Sequence, residues 1–139
     1  MELNVINPKY VLQDNLRKQV YDEGKLVFDG IKLDADRIGQ PCNIMFSYIK
    51  KAHVHATKSH AHDFPHLFCC FGTNTEDYDE FEAEIDCGIG GEINTITKPS
   101  IIYMPSGLEH GPLNFKRVDK PILFIEVMLT SKYTRKASK

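Results

Sequence analysis

An all-β domain, sandwich or barrel, is predicted by three observations. From Asn43 onward the chain breaks into short segments rich in β-branched and aromatic residues. Each segment is bounded by glycine, proline or small polar residues, and none is followed by a stretch long enough for a helical crossover. One of them, Phe81-Glu-Ala-Glu-Ile-Asp-Cys87, alternates strictly between apolar and acidic side chains, as a strand with one buried face does. With 139 residues, 42% of them hydrophobic, the chain is long enough for one core and gives no sign of an internal repeat or a dividing linker.

Taken in order, the first element is a helix over Tyr10 to Tyr21, where Val11, Leu12, Leu16 and Val20 recur near the 3.6-residue period. Strands follow at Asn43 to Lys50, Ala52 to Thr57, His66 to Gly72, Glu80 to Cys87, Glu92 to Thr97, Ile101 to Met104, Leu113 to Val118 and Ile122 to Thr130. The turns between them contain Gly72-Thr-Asn, Gly88-Ile-Gly-Gly, Lys98-Pro-Ser, Pro105-Ser and Asp119-Lys-Pro, which supply positive φ, fixed φ or local side-chain bonds. The last strand is apolar on both faces except for Glu126, so its outer face needs a cover. The tail from Ser131 to Lys139 carries four basic residues and reads as a solvated end.

Charge narrows the partners. Lys plus Arg is 17 and Asp plus Glu is 19, a net charge of −2, which leaves no basic excess for nucleic acid or anionic lipid. The longest strongly apolar segment, Pro121 to Leu129, is too short to span a bilayer and contains Glu126, and the start lacks a secretory pattern, so a cytoplasmic protein is expected. Cys42, Cys69, Cys70 and Cys87 are then expected to be reduced packing residues. Cys69 and Cys70 are adjacent, which is not zinc-site spacing.

All six histidines lie between 53 and 110, and five of them are His53, His55, His60, His62 and His66. His60, His62 and His66 share parity, so in an extended chain their imidazoles project to one side, as a transition-metal site requires. His110, the sixth, stands in Pro105-Ser-Gly-Leu-Glu-His-Gly-Pro-Leu-Asn114, a tight turn that delivers one side chain at the start of a strand. Asn114 is placed to lock that loop through backbone bonds. His53 and His55 form a second H-x-H pair that could compete for the metal together with His60. The strand Leu67 to Phe71, ending at Gly72, favours the 60, 62, 66 set.

These residues resemble the cupin superfamily. Its second motif, P-x-G-x-x-H-x3-N, is matched by Pro105, Gly107, His110 and Asn114, a coincidence expected in about one chain of this length in a thousand at ordinary residue frequencies. Its first motif, H-x-H-x3-4-E-x6-G, is matched by His60 and His62, with Gly72 one residue early and His66 in place of glutamate. The resemblance covers about Asn43 to Thr130. It implies a double-stranded β-helix, or jelly-roll barrel, at 43–130, preceded by a short helical or irregular segment at 1–42 that packs on the barrel and followed by the basic tail at 131–139. It further implies a divalent transition metal, Mn, Fe, Ni, Co or Zn, held by His60, His62, His66 and His110, and a homodimer formed through an outer sheet face.

Four neutral imidazoles leave the charge of a divalent ion uncompensated, so the site should attract a small anionic or oxygenated metabolite. Phe68 and Cys70 share the parity of His66 and are expected to line a narrow pocket, with Glu82, Glu84 and Tyr103 as candidate acid–base or orienting groups. An isomerase, decarboxylase, lyase or dioxygenase fits such a site. A metal-dependent binding or sensor module without turnover is the alternative, and a structural role of the seed-storage kind is less suited to a small cytoplasmic chain.

Overall fold

A computed structural model describes residues 5–132 and the backbone of 136–137. The elements are β1 (Arg17–Asp22), β2 (Lys25–Leu33), α1 (Ala35–Ile38), β3 (Asn43–Ile49), β4 (His53–Ala56), β5 (His60–Ala61), β6 (His66–Phe71), β7 (Ala83–Ile89), β8 (Glu92–Ile96), β9 (Ser100–Met104), β10 (His110–Val118), β11 (Ile122–Met128) and β12 (Lys136–Ala137). One antiparallel sheet runs β1-β2-β3-β11-β6-β9. The other runs β12-β5-β10-β7-β8, with β4 also paired to β10.

Between the sheets lies the core, in which Cys70, Ala83, Ile85, Phe115 and Ile122 are completely buried. The alternation of Phe81 to Cys87 settles as the pattern predicts: Phe81, Ala83, Ile85 and Cys87 are buried and the acidic residues between them are not. A two-residue turn at Gly90 and Gly91, both at positive φ, joins β7 to β8 with Ile89 opposite Glu92. A Cβ at Gly88 would stand 2.1 Å from the Gly111 carbonyl oxygen, so glycine there lets β7 approach β10 beside the histidines.

The N-terminal third differs from expectation. No helix forms over Tyr10 to Tyr21. Asn15 takes positive φ, and Arg17–Asp22 pairs with β2 across a turn in which Glu23 and Gly24 both have positive φ. Ladder bonds to β2, with Val20 opposite Phe28, outweigh the weak local periodicity. The hairpin then extends the first sheet through Ile31↔Phe46. Part of the tail expected to be a solvated end is paired as well, Lys136 with Ala61 and Ala137 with His60. Among the described residues no helix is long and apolar enough to cross a membrane.

All four cysteines are free, but only Cys70 and Cys87 are buried, because Cys69 turns to the outer side of its sheet and Cys42 lies outside the strands. That outer side also presents Tyr48, Ile101 and Tyr103, each more than half exposed.

Candidate metal centre

The histidines converge from three places in the fold. β5 and β10 pair with His60 directly opposite His110, which sets the two rings 4.5 Å apart between centroids. His62 follows β5, and its ring lies 4.9 Å from His60 and 5.0 Å from His110. The loop before β10 is bound to this segment, since the Gly107 amide donates to the His62 carbonyl oxygen at 2.8 Å. Gly107 has φ 85, a conformation glycine adopts without cost, so the second motif's glycine holds its histidine loop against the first motif's strand.

A ligand atom from each of His60, His62 and His110 lies within 4.8 Å of the others. His66, at the start of β6, lies nearby in the opposite sheet, 5.4 Å from His62 and 5.8 Å from His110 between centroids, and stands just outside the tighter trio. Phe64 stacks on His62 and Phe68 meets His66 edge-on.

Ring orientation suits a cation. His60 donates from Nδ1 to the Lys58 carbonyl oxygen at 3.1 Å, and His110 donates from Nδ1 to the Leu108 carbonyl oxygen at 3.2 Å. A carbonyl can only accept, so in both rings the proton is on Nδ1 and the Nε2 lone pair points to the cluster. The His110 Nε2 and both ring nitrogens of His66 are buried without a hydrogen-bond partner. Burial, followed by the neighbouring histidines, lowers the His66 pKa to about 3, and burial lowers that of His110 to about 4. Neutral imidazoles with inward lone pairs are what a transition metal requires, so the residues fit the group.

A cavity of about 380 Å³ opens beside the cluster. His60, His66, Phe68 and His110 line it, joined by Lys32 and Phe28 from the N-terminal hairpin and by His55 and Glu126 from β4 and β11. Several residues expected in the pocket lie elsewhere. Cys70 shares the face of Phe68 but is sealed in the core, where burial pushes its thiol up to about 12. Glu84 alternates out of the barrel and pairs with Lys116 at 3.3 Å. Tyr103, between buried Ile102 and Met104, is 60% exposed on the outer face, and Glu82 is exposed too. Asn114 lies along β10 opposite Val54 and Asp86, four residues beyond His110, and not in the loop it is expected to lock.

Lys32 and Glu126 are cavity residues that the sequence reading misses. Lys32 lies outside the motif-bearing region and carries no signal. Glu126 does carry one: a single acid at an inward position of an otherwise apolar strand, in register with Phe68.

Neither a family model nor a curated protein matches the sequence. Solved structures do match. A cupin protein from Bacteroides fragilis aligns over 88% of this chain and 93% of its own, at 12% identity and a TM-score of 0.51. The fold is a cupin fold. The polyketide cyclase RemF from Streptomyces resistomycificus aligns at 13% identity over 80% of this chain and 70% of its own, with a TM-score of 0.53. Oxalate decarboxylase from Bacillus subtilis, a protein with Mn(II) centres, aligns over 87% of this chain at 12% identity and a TM-score of 0.56; this chain spans 30% of its length. The cupin barrel accounts for where the histidines meet: its two sheets bring β5 and β10 together on one side and β6 across from them.

Proposed function

We propose that this cupin holds a divalent transition metal, Mn, Fe, Co, Ni or Zn, through His60, His62, His66 and His110, and acts there as an enzyme on a small anionic oxygenated metabolite. The reaction is of the isomerase, decarboxylase, lyase or dioxygenase type. The carrying observation is the convergence of ligand atoms from His60, His62 and His110 beside a cavity that His60, His66, His110 and Lys32 line. A bound ion supplies Lewis acidity to the ligand's oxygens. His66 takes the place a carboxylate would fill, so the chain contributes no negative charge among the ligands and leaves the ion's charge for an anion. Lys32, which also pairs with Asp34 at 3.2 Å, adds a cation to the cavity lining, and Phe28 and Phe68 narrow the space. Oxalate decarboxylase and the polyketide cyclase show that the fold hosts chemistry on oxygenated compounds.

Metal analysis of protein purified without chelators, followed by calorimetric titration with oxalate, tests this reading. Native protein is expected to contain stoichiometric divalent metal and to bind oxalate, and His62→Ala is expected to do neither while remaining folded. Native protein free of metal after exposure to each of the five ions would refute it.

We further propose a cytoplasmic homodimer joined through the outer face of the first sheet, where Ile44, Tyr48, Ile101 and Tyr103 are exposed. Light scattering at micromolar concentration is expected to give twice the chain mass, and a monomer mass would contradict the assignment.

A further inference from the structure

Among the described residues that line the cavity one carries a carboxyl group, Glu126. Its side chain is 12% exposed. Here the second H-x-H pair finds its place. His53 donates from Nδ1 to the Lys51 carbonyl oxygen at 2.9 Å, which fixes its tautomer and leaves Nε2 as an acceptor. His55 Nδ1 lies 3.4 Å from that Nε2 and donates to it, so the remaining lone pair of His55 is on its own Nε2. That nitrogen faces Glu126 Oε1 at 3.8 Å. A protonated Glu126 can therefore donate to His55, His55 to His53, and the exposed His53 ends the chain at the surface. Phe115 stacks on His53 and meets His55 edge-on, and Phe124 packs edge-on against His55, so the rings are held in line.

We propose that Glu126 is the proton-transfer residue of this cavity and that His55 and His53 connect it to solvent, serving a substrate with an acidic C–H next to a carbonyl. In the forward step the C–H proton passes to Glu126 Oε1 and its electron pair stays on the substrate as an enolate. Glu126 then gives a proton to His55 Nε2, His55 passes its Nδ1 proton to His53, and His53 releases one to water, so charge and protons balance. The reverse sequence delivers a proton to the same carbon. The inference rests on the function proposed above and favours its isomerase, lyase and decarboxylase forms, which must place or remove a proton.

The electrostatics agree with this geometry. Burial raises the Glu126 pKa to about 7, opposed by the Lys32 ammonium, and burial, helped by His53, lowers that of His55 to about 4. Near neutral pH Glu126 can thus hold or release a proton while His55 is a neutral imidazole. The other titratable group beside Glu126 is the Cys70 thiol, which stays protonated, and β3 presents only Met45. The 3.8 Å gap is longer than a hydrogen bond, as acid–base contacts often are before a ligand is bound. His53, His55 and Glu126 do not form a further metal group: the one three-residue cluster of ligand atoms among the described residues is His60, His62 and His110.

The test uses 2-oxoglutarate and pyruvate in D2O with the metal-loaded protein, following by proton NMR the loss of the C–H signal next to the keto carbon. Native protein is expected to accelerate exchange. Glu126→Gln should lose ~100-fold or more of that rate while metal content holds and oxalate still binds. His55→Phe should slow exchange less and displace its pH profile, a change that loss of packing alone would not produce. In the metal-free protein, carbon-13 NMR of labelled glutamate should show one carboxyl titrating near pH 7 that is missing from Glu126→Gln; this needs no turnover. Exchange at the native rate in Glu126→Gln, or no exchange by native protein that binds oxalate, overturns the inference and leaves the metal site intact. Failure to bind oxalate or metal would instead refute the function on which it rests.

Discussion

The chain contains the H-x-H pattern twice, seven residues apart, and the two copies end in different chemical states. His60 and His62 lie against His110, and ligand atoms from all three gather in one buried cluster. His53 and His55 lie against Glu126 and Phe115, in a row leading from the cavity to the surface. The spacing is the same and both pairs lie along β10, so the side chains each pair meets there and across the barrel decide the outcome. A third imidazole opposite the pair makes a site for a cation, whereas a carboxyl opposite it makes a place for a proton.

That contrast breaks most completely at its metal end. Replacing His110 with alanine removes the imidazole paired across the ladder with His60, and bound metal measured by mass spectrometry is expected to fall below stoichiometric, since one of the converging ligands is lost. Retention of metal would mean that the cluster does not depend on the β5–β10 pairing.

At the proton end the expected effect is on stability. A Glu126 pKa raised from 4.5 to about 7 means that folding opposes ionisation, so the protonated state's contribution is complete below pH 4.5 and is lost as pH rises through 7. That displacement corresponds to roughly 3 kcal/mol. Denaturant unfolding of metal-free Glu126→Gln should therefore gain about that much on native protein between pH 4 and pH 9. A constant difference would show that Glu126 is solvated. The histidines act with the opposite sign. Their lowered values stabilise the fold above pH 6.5 and withdraw that stability as pH falls toward 4.

Much of this contrast is legible in the residues themselves. The parity of His60, His62 and His66 and the turn around His110 locate the cluster, because a period-two chain fixes which side chains share a face. The two-sided apolar character of Ile122 to Leu129 marks a central strand, which β11 is, between β3 and β6. What local sequence does not supply is pairing across long separations. Periodicity at Tyr10 to Tyr21 competes with a hairpin whose second strand also pairs with β3, and that hairpin brings Lys32 to the cavity. Glu84 and Tyr103 show the converse. An acid or a phenol on an alternating strand is as easily outside as inside, and here both alternate with buried neighbours.

A smaller effect separates the roles of charge and shape at the metal end. His66→Glu introduces a negative charge among the ligands, and at matched metal occupancy and fixed salt the dissociation constant for oxalate should rise ~10-fold. Equal or tighter binding would mean that His66 tunes the metal and not the anion. Smaller still, Lys32→Ala, which removes a cation that also pairs with Asp34 and is partly screened, should weaken oxalate by ~3-fold with metal content unchanged. No change would place the ligand away from the hairpin.

The most direct measurement compares the two pairs under one protocol. Two double variants, His60→Ala with His62→Ala and His53→Ala with His55→Ala, are purified without chelators and analysed for metal per chain, with circular dichroism confirming the β fold of each. The account predicts background metal in the first and native stoichiometry in the second. Metal retained by the first, or lost from the second, would contradict it and move the centre to the upstream pair.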